Sequence, residues 1–215
     1  MFGNFQPHQV KHRWMPTAAF NLWRNPFGEL TRQERVSLAV ISDNEFMHCK
    51  IGSSEAIQLI GDCGNGKTTR MLTFHQKLPE SSYVYLPEDE PCPDIPSGNP
   101  VLIDEAQRLP WRVRRAVFST NVPLILATHR DLRTVLERYG YKVKTTTIGQ
   151  HNTPEHIQAI LNRRIEASRL EAGPVPQISI EFANALHQSF GNNVRAIEQK
   201  LYKEFQKLVI RHAKM

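Results

Sequence analysis

Apolar residues along the chain are concentrated in short runs, and each run ends at polar or turn-forming residues. Runs of this length and composition are typical of β-strands. They occupy residues 56–60, 83–86, 100–105, 123–129 and 142–148. The runs at 100–105 and 123–129 are almost wholly apolar, which predicts burial. The last run alternates and is rich in threonine, as expected of an outer strand.

Helical spacing of apolar residues appears between these strands and continues after them. Thr31 and Glu34 have the spacing of a capping box, so a helix is predicted to start there. Further helices are predicted at 69–78, from residue 111 and at 131–139. From Thr153 onwards the pattern is helical only, with Thr153 and Ser179 as N-caps of two helices and a third helix from Asn193.

The change from alternating elements to helices alone predicts two domains. Strands that alternate with helices indicate an α/β protein with a parallel sheet. We expect an N-terminal arm at residues 1–24, an α/β domain at 25–150 and a helical domain at 151–215. A chain of 215 residues is long enough for one α/β core and a small second unit.

The composition bears on membrane insertion and on the redox environment of the protein. The chain has no apolar run long enough to cross a membrane, and its N-terminus lacks the apolar core of a signal peptide. We therefore expect no membrane insertion. The three cysteines, an odd number without paired spacing, fit a reducing cytoplasm.

The net charge is +6, and it is unevenly distributed. Residues 108–144 contain nine Lys or Arg against two acids, which gives +7 in that segment. This concentration indicates an anionic partner, with nucleic acid as the leading candidate. A solvated basic face, with a few arginines that serve a bound nucleotide, is the alternative.

A glycine-rich segment directly follows the first predicted strand. Gly61-Asp62-Cys63-Gly64-Asn65-Gly66-Lys67-Thr68 fits the pattern G-x-x-x-x-G-K-[ST], and Thr69 follows it. In such a loop, backbone N–H groups and the start of the next helix bind phosphate. Lys67 would add a charge on the β- and γ-phosphates, and the Thr68 hydroxyl would hold Mg²⁺. An incidental glycine-rich turn is the alternative, but the strand before and the helix after favour a phosphate site.

Asp104 and Glu105 follow a buried strand, where ligands bind in open parallel sheets. We expect Asp104 to lie beside the phosphate-loop strand and to hold Mg²⁺, directly or through water. Glu105 would orient and deprotonate the water that attacks the γ-phosphate, which favours hydrolysis over phosphoryl transfer to another acceptor. Two solvated acids at a strand end are the alternative.

Three more polar residues are candidates for contacts with the γ-phosphate. Thr128 ends the fourth strand and is the first choice there, because it is short and hydrogen-bonding. His129 follows it and is as well explained as a surface residue. Arg195 opens the last helix and would reach the nucleotide from a lid, although a solvated helical arginine is the alternative.

The order of these motifs resembles that of the AAA+ ATPases over roughly residues 25 to 210. The resemblance rests on Walker A at 61–68, Walker B at 101–105, sensor 1 at Thr128 and sensor 2 at 191–195. Within that superfamily, the Asn25-Pro26-Phe27 segment, residues 102–107 and the helix at 155–170 resemble the ExeA and TniB/TnsC group. TniB/TnsC proteins are ATP-dependent regulators of DNA transposition, and ExeA is a secretion-associated ATPase.

The resemblance implies a five-stranded parallel sheet in the order 5-1-4-3-2 and a small C-terminal helical lid. It also implies homo-oligomers in the ATP state, in which a neighbour's arginine completes each site. Arg138 matches that role best, with Arg130 and Arg133 as rivals. DNA-binding members carry basic residues near the helix after Walker B, and this chain offers Arg112, Arg114 and Arg115 there.

The chain departs from the family pattern at two places. The link between the first two strands is short, and the fifth strand carries Lys142 and Lys144 where a more apolar run is expected. Both departures count against the resemblance to the ExeA and TniB/TnsC group more than against the resemblance to the AAA+ superfamily.

These observations predict an ATP hydrolase that uses ATP and Mg²⁺ as an assembly and conformational switch, with DNA as the favoured target. ATP is preferred over GTP by the resemblance, and a transposase is a candidate protein partner. Two alternatives remain. One is a nucleotide-gated scaffold that recruits a protein with negligible turnover, and the other is a secretion-associated ATPase that does not bind DNA.

Overall fold

A computed structural model describes residues 15–41, 51–150 and 152–213 of the chain. The chain divides into two compact units. One unit is Ile41–Gly149, and the other combines Met1–Val40 with Gln150–Met215. None of the helices in the described ranges is long and apolar enough to cross a membrane.

Five strands and seven α-helices are described. The strands are β1 Glu55–Ile60, β2 Ser82–Tyr85, β3 Val101–Asp104, β4 Leu124–Thr128 and β5 Lys142–Thr147. The helices are α1 Arg32–Ser37, α2 Lys67–Lys77, α3 Trp111–Phe118, α4 Arg133–Arg138, α5 Pro154–Ala167, α6 Ile180–Phe190 and α7 Val194–Ala213. All five predicted strands are confirmed to within one residue or two at each end.

The strands form one parallel sheet with the order β2-β3-β4-β1-β5. Counted from the other edge, this is 5-1-4-3-2, the order that the family resemblance implies. β1 lies between β4 and β5, and all five strands are parallel, so their carboxyl ends lie on the same side of the sheet. The loops after β1, β3 and β4 therefore open at one edge of the sheet, where parallel sheets bind ligands.

Helices cover the sheet on both faces. On one face, Ile57 and Leu59 of β1 pack with Met71 and Phe74 of α2. On the opposite face, Ala56 belongs to a cluster with residues of α3 and α4, among them Phe118 and Leu136. Alternate residues of β1 thus face opposite layers, as the period of two along a strand requires.

The edge position of β5 explains its composition. Five of its six residues are exposed, and it pairs with β1 alone. Lys142 and Lys144, which looked out of place in a sheet strand, can therefore remain solvated. Lysines on an edge strand also discourage pairing with a further strand.

The helical unit consists of α5, α6 and α7 together with the N-terminal segment that includes α1. The predicted caps are confirmed. Thr31 and Glu34 form a capping box, and the side chains of Thr153 and Ser179 accept hydrogen bonds at the starts of α5 and α6. Phe20 and Phe27 of the N-terminal segment are buried in the same apolar cluster as the long helices.

This packing corrects the predicted domain boundaries. Residues 25–40, which the sequence pattern assigns to the α/β domain, group with the helical unit. The reason is a buried arginine: Arg164 of α5 donates to the carbonyl oxygens of Pro26, at 2.8 Å, and Gly28, and it pairs with Glu198 of α7. The first fourteen residues of the predicted arm lie outside the described residues.

Candidate functional site

The glycine loop joins β1 directly to α2, in the order that phosphate binding requires. At Gly61, a Cβ atom would lie 2.6 Å from the carbonyl oxygen of Ile148, so the backbones approach too closely for a side chain. Gly66 has a φ of 95° and stands immediately before α2. Glycine at these two positions lets the loop turn tightly and lets its backbone face the start of the helix.

Lys67 is buried at the first position of α2 and bends back over the loop. Its ammonium donates to the carbonyl oxygens of Gly61, at 2.6 Å, and Asp62, at 3.0 Å. Burial lowers the pKa of Lys67, and the nearby charges of Glu105 and Asp104 oppose that effect in part. An anion bound in the loop would stabilise the charged ammonium.

Asp104 is fully buried at the carboxyl end of β3. The sheet order corrects one expectation, because β4 lies between β3 and β1, so that Asp104 is not beside the phosphate-loop strand. Its side chain nevertheless meets the start of α2 through a hydrogen bond with Thr68. Burial raises the pKa of Asp104, while hydrogen bonds from Thr68 and Tyr83 act in the opposite direction.

Thr68 and Asp104 have the oxygen ligands that Mg²⁺ prefers, and they touch each other. Within the described residues, there is no group of three or more His, Cys, Asp or Glu side chains that could hold a metal ion. In proteins, Mg²⁺ is commonly held by one or two protein groups together with waters and substrate phosphates.

Glu105 follows Asp104 in the chain, and the His129 ring contacts both Glu105 and Lys67. The Nε2 atom of His129 is 3.3 Å from Oε1 of Glu105 and 3.4 Å from Nζ of Lys67. When Nε2 is protonated it can donate to Glu105, and when it is unprotonated it can accept from Lys67. The histidine therefore connects the two groups, and its protonation state decides which one it bonds.

The side chains of Thr128 and His129 differ in what they contact at the end of β4. The hydroxyl of Thr128 is fully buried and is used locally, since it donates to the carbonyl oxygen of Arg130 at 2.8 Å and accepts from its N–H at 3.0 Å. His129 instead reaches Lys67 and Glu105. At the end of β4, the residue beyond the strand is the one that faces the site.

The three candidate arginines for a neighbouring site differ in their surroundings. Arg133 donates to the carbonyl oxygen of Val143 and to the hydroxyl of Thr145 at 2.7 Å, which ties it to β5. Arg130 and Arg138 are exposed, and Arg138 is the last residue of α4. Exposure keeps Arg138 available for a contact with another chain.

Arg195 lies in the first turn of α7 and belongs to the helical unit. The basic residues proposed for nucleic acid lie on α3, where Arg112 and Arg115 are exposed and Arg114 is half-buried. The same helix begins with Trp111, which is 62% exposed, and the guanidinium of Arg112 stacks over its ring at 5.2 Å. Such a pair of aromatic and cationic groups suits the bases and phosphates of a nucleic acid.

Two residues of the site were not found from the sequence. Tyr83 donates to Oδ2 of Asp104 at 3.1 Å, and Gln107 donates to Oε2 of Glu105 at 2.7 Å. Gln107 follows the acidic pair so closely that its proximity offered a signal. Tyr83 offered none, because its partner lies on a different strand.

No known protein-family model matches this chain, and no curated protein matches it either. The fold and the geometry of the site therefore carry the functional argument.

Proposed function

We propose that this chain is an ATPase of the AAA+ type, which binds ATP with Mg²⁺ and hydrolyses it as a switch of assembly and conformation. One observation carries the proposal. Lys67 and Thr68 at the start of α2 meet Asp104 and Glu105 at the end of β3, at one edge of the sheet. A phosphate site, a Mg²⁺ site and a general base are the three parts that nucleotide hydrolysis needs.

Nucleotide binding would change the partners of Lys67. The ammonium now bonds two loop carbonyl oxygens, and a phosphate anion is a stronger partner for a buried charge. The first N–H groups of a helix have no acceptor within the helix, so the start of α2 would act on the same anion as the loop.

Thr68 and Asp104 would hold Mg²⁺ against the phosphates. A bound Mg²⁺ ion neutralises charge that develops on the phosphate oxygens. The hydrogen bond from Tyr83 keeps the Asp104 carboxylate oriented towards Thr68. Asp104 thus serves in binding, whereas the neighbouring Glu105 serves in the reaction.

Glu105 would accept a proton from the attacking water. Its side chain is 13% exposed, and His129 lies between it and Lys67. When phosphate takes the place of His129 as a partner of Lys67, the histidine can turn its Nε2–H to Glu105 or to the phosphate. This would couple nucleotide occupancy to the orientation of the base.

Phosphate release tests the proposal directly. Glu105→Gln keeps the shape of the side chain but cannot take a proton, so we expect turnover to fall by about 10²-fold or more while ATP affinity persists. Lys67→Ala should lose ATP affinity as well, because the buried cation is removed. Unchanged turnover in Glu105→Gln would refute the role of this glutamate.

A matched pair of variants tests whether His129 or Thr128, at the end of β4, acts in the reaction. We expect His129→Ala to lower kcat, because His129 contacts Lys67 and Glu105. Thr128→Val should mainly lower stability, because its hydroxyl bonds only the Arg130 backbone among the described contacts. If Thr128→Val lowered kcat more than His129→Ala at equal stability, Thr128 would be the residue that senses phosphate.

The switch would act between subunits, with Arg138 of one chain completing the site of the next. The exposed position of Arg138 at the end of α4 supports this. Arg138→Ala and Lys67→Ala should each be inactive, yet their mixture should regain turnover, because a Lys67→Ala chain still offers Arg138 to its neighbour. A mixture as inactive as its components would argue against shared sites.

DNA is the proposed target of the assembled protein, and a transposase is a candidate partner. Support comes from α3, where Trp111, Arg112 and Arg115 are exposed on one short helix. The helical unit, which carries Arg195, is proposed to serve as the lid. Work in the reducing cytoplasm is proposed from the cysteine content of the sequence, which is three cysteines without paired spacing.

Retention of DNA in a mobility-shift assay tests this target. With a non-hydrolysable ATP analogue at low salt, we expect binding that weakens steeply as salt increases. Replacing Arg112 and Arg115 by alanine should reduce the salt slope by about two, whereas Lys203→Ala on α7 should leave it unchanged. No retention at low salt would refute the DNA role and leave ATP hydrolysis intact.

A further inference from the structure

The backbone of Glu105 has an unusual conformation. Its φ is 62°, in the left-handed region that residues other than glycine rarely adopt. Such a conformation persists where the surrounding structure holds it, and it is common at functional sites. Here it turns the chain sharply from β3 into a short 3-10 helix, Ala106–Arg108, and brings Gln107 back beside Glu105.

The side-chain amide of Gln107 forms one hydrogen bond through its nitrogen and one through its oxygen. Its Nε2 donates to Oε2 of Glu105 at 2.7 Å, and its Oε1 accepts from the backbone N–H of His129 at 3.3 Å. A backbone N–H can only donate and a carboxylate can only accept, so the amide has a single workable orientation. Gln107 therefore attaches the Glu105 carboxylate to the end of β4.

The two oxygens of Glu105 consequently have different neighbours. Oε2 is held by Gln107, with Arg108 further away at 3.6 Å. Oε1 faces His129, on the side of Lys67. Arg108 is a poor substitute for Gln107, because its shorter bonds go to the Leu86 carbonyl oxygen and to Glu88.

We propose that Gln107 is a positioning residue that holds Oε2 of Glu105, so that Oε1 is the oxygen that accepts the proton. This inference rests on the proposed ATPase function. It adds to that function a residue that bonds Glu105 and the His129 backbone and acts through the base. Its loss should slow the chemical step and spare binding, because a small misplacement of a catalytic group is costly.

Two substitutions separate positioning from packing. Gln107→Leu has a similar volume and forms no hydrogen bond. Gln107→Glu keeps an acceptor for the His129 N–H but loses the donor and places a like charge next to Glu105. Gln206→Leu on α7 is the matched control, since that amide bonds the Tyr202 hydroxyl in the other unit.

The experiment measures kcat and the Kd of Mg·ATP for these variants, alone and in a Glu105→Gln background. We expect Gln107→Leu and Gln107→Glu to lower kcat by about 10- to 100-fold, with Kd within about twofold of the wild type. Gln206→Leu should match the wild type. In the Glu105→Gln background, Gln107→Leu should lower turnover no further, because residues that act as one unit are not additive.

Three results would overturn the inference. The first is a kcat within about twofold of the wild type in both Gln107 variants. The second is an equal loss of kcat and ATP affinity, which would indicate a merely structural role. The third is a full additional loss in the Glu105→Gln background. If wild-type turnover were absent or insensitive to Glu105→Gln, the proposed function itself would fail, and that result is distinct from the other three.

Discussion

Arg164 provides a stability prediction that also tests the division of the chain. Its side chain is 5% exposed in the helical unit, where it bonds the Pro26 and Gly28 carbonyl oxygens and pairs with Glu198. Arg164→Met keeps much of the apolar stem and removes every one of these polar contacts. We expect a large loss of stability, because the partners remain in place without their donor.

The size of the stability loss depends on the groups that Arg164→Met leaves without a partner. Removing one member of a buried ion pair costs about 3–5 kcal/mol, since the other charge stays poorly solvated. Glu198 is 22% exposed, so water can relieve part of this cost. The Pro26 carbonyl, whose hydrogen bond to Arg164 is buried, adds to it. We expect the free energy of unfolding to fall by about 4 kcal/mol, a large part of the total for a typical domain.

The neighbouring arginine is the matched control. Arg163 is exposed on the same helix and donates to the carbonyl oxygens of Ser37 and Ala39. Water can replace it at both, so Arg163→Met should cost about 1 kcal/mol or less. Urea unfolding followed by far-UV circular dichroism compares the two variants. Adding Glu198→Leu to Arg164→Met should recover stability, because the unpaired carboxylate is then also removed.

Two results would refute this reasoning. Equal stability losses in Arg164→Met and Arg163→Met would mean that burial of the ion pair carries no special weight. A further loss on adding Glu198→Leu would mean that Glu198 is stabilised by something other than Arg164. Either result would also weaken the assignment of residues 25–40 to the helical unit.

Four further predictions concern the α/β unit. Gln58→Leu should lower the free energy of unfolding by about 2–3 kcal/mol in urea titrations, because a buried backbone N–H loses its acceptor. A hydrogen bond from Gln58 lowers the pKa of Asp131, so Asp131 contributes stability above its ordinary pKa, and this stability is lost as the pH falls through the lowered folded value. In Gln58→Leu the dependence of stability on acid pH should therefore shrink. An unchanged dependence would contradict this prediction. Tyr83→Phe should raise the Mg²⁺ concentration needed for half-maximal turnover by about 10-fold, because Asp104 loses an orienting donor, and an unchanged Mg²⁺ requirement would count against that role. Alkylation of the exposed Cys63, with the other two cysteines replaced by serine, should be slowed by Mg·ATP, and an equal rate with and without nucleotide would place the nucleotide elsewhere.

The elements and their caps could be predicted because their signals are local. The Thr31–Glu34 capping box and the caps at Thr153 and Ser179 depend on residues three positions apart. The strands β3 and β4 are short apolar runs that end in polar residues. Neighbouring residues determine such features, so one sequence is enough to recognise them.

Contacts between distant residues could not be predicted in this way. Gln58, in the middle of a buried strand, has no local explanation, and its partners Asp131 and Thr145 lie more than 70 residues away. Tyr83 reaches Asp104 only because β2 pairs with β3. These side chains satisfy one another across strands, and the sequence carries no periodic trace of that pairing.

Local features of the sequence are enough to locate the strands and helices, and to place a glycine loop and two acids at strand ends. They are enough because hydrophobic period, capping and turn chemistry act over a few residues. Three features depend on the folded chain instead: His129 rather than Thr128 contacts Lys67, Gln107 bonds Glu105, and residues 25–40 pack with the helical unit. These features depend on which polar groups lie close together in the folded chain. A buried polar group cannot bond water, so it must bond another group of the protein.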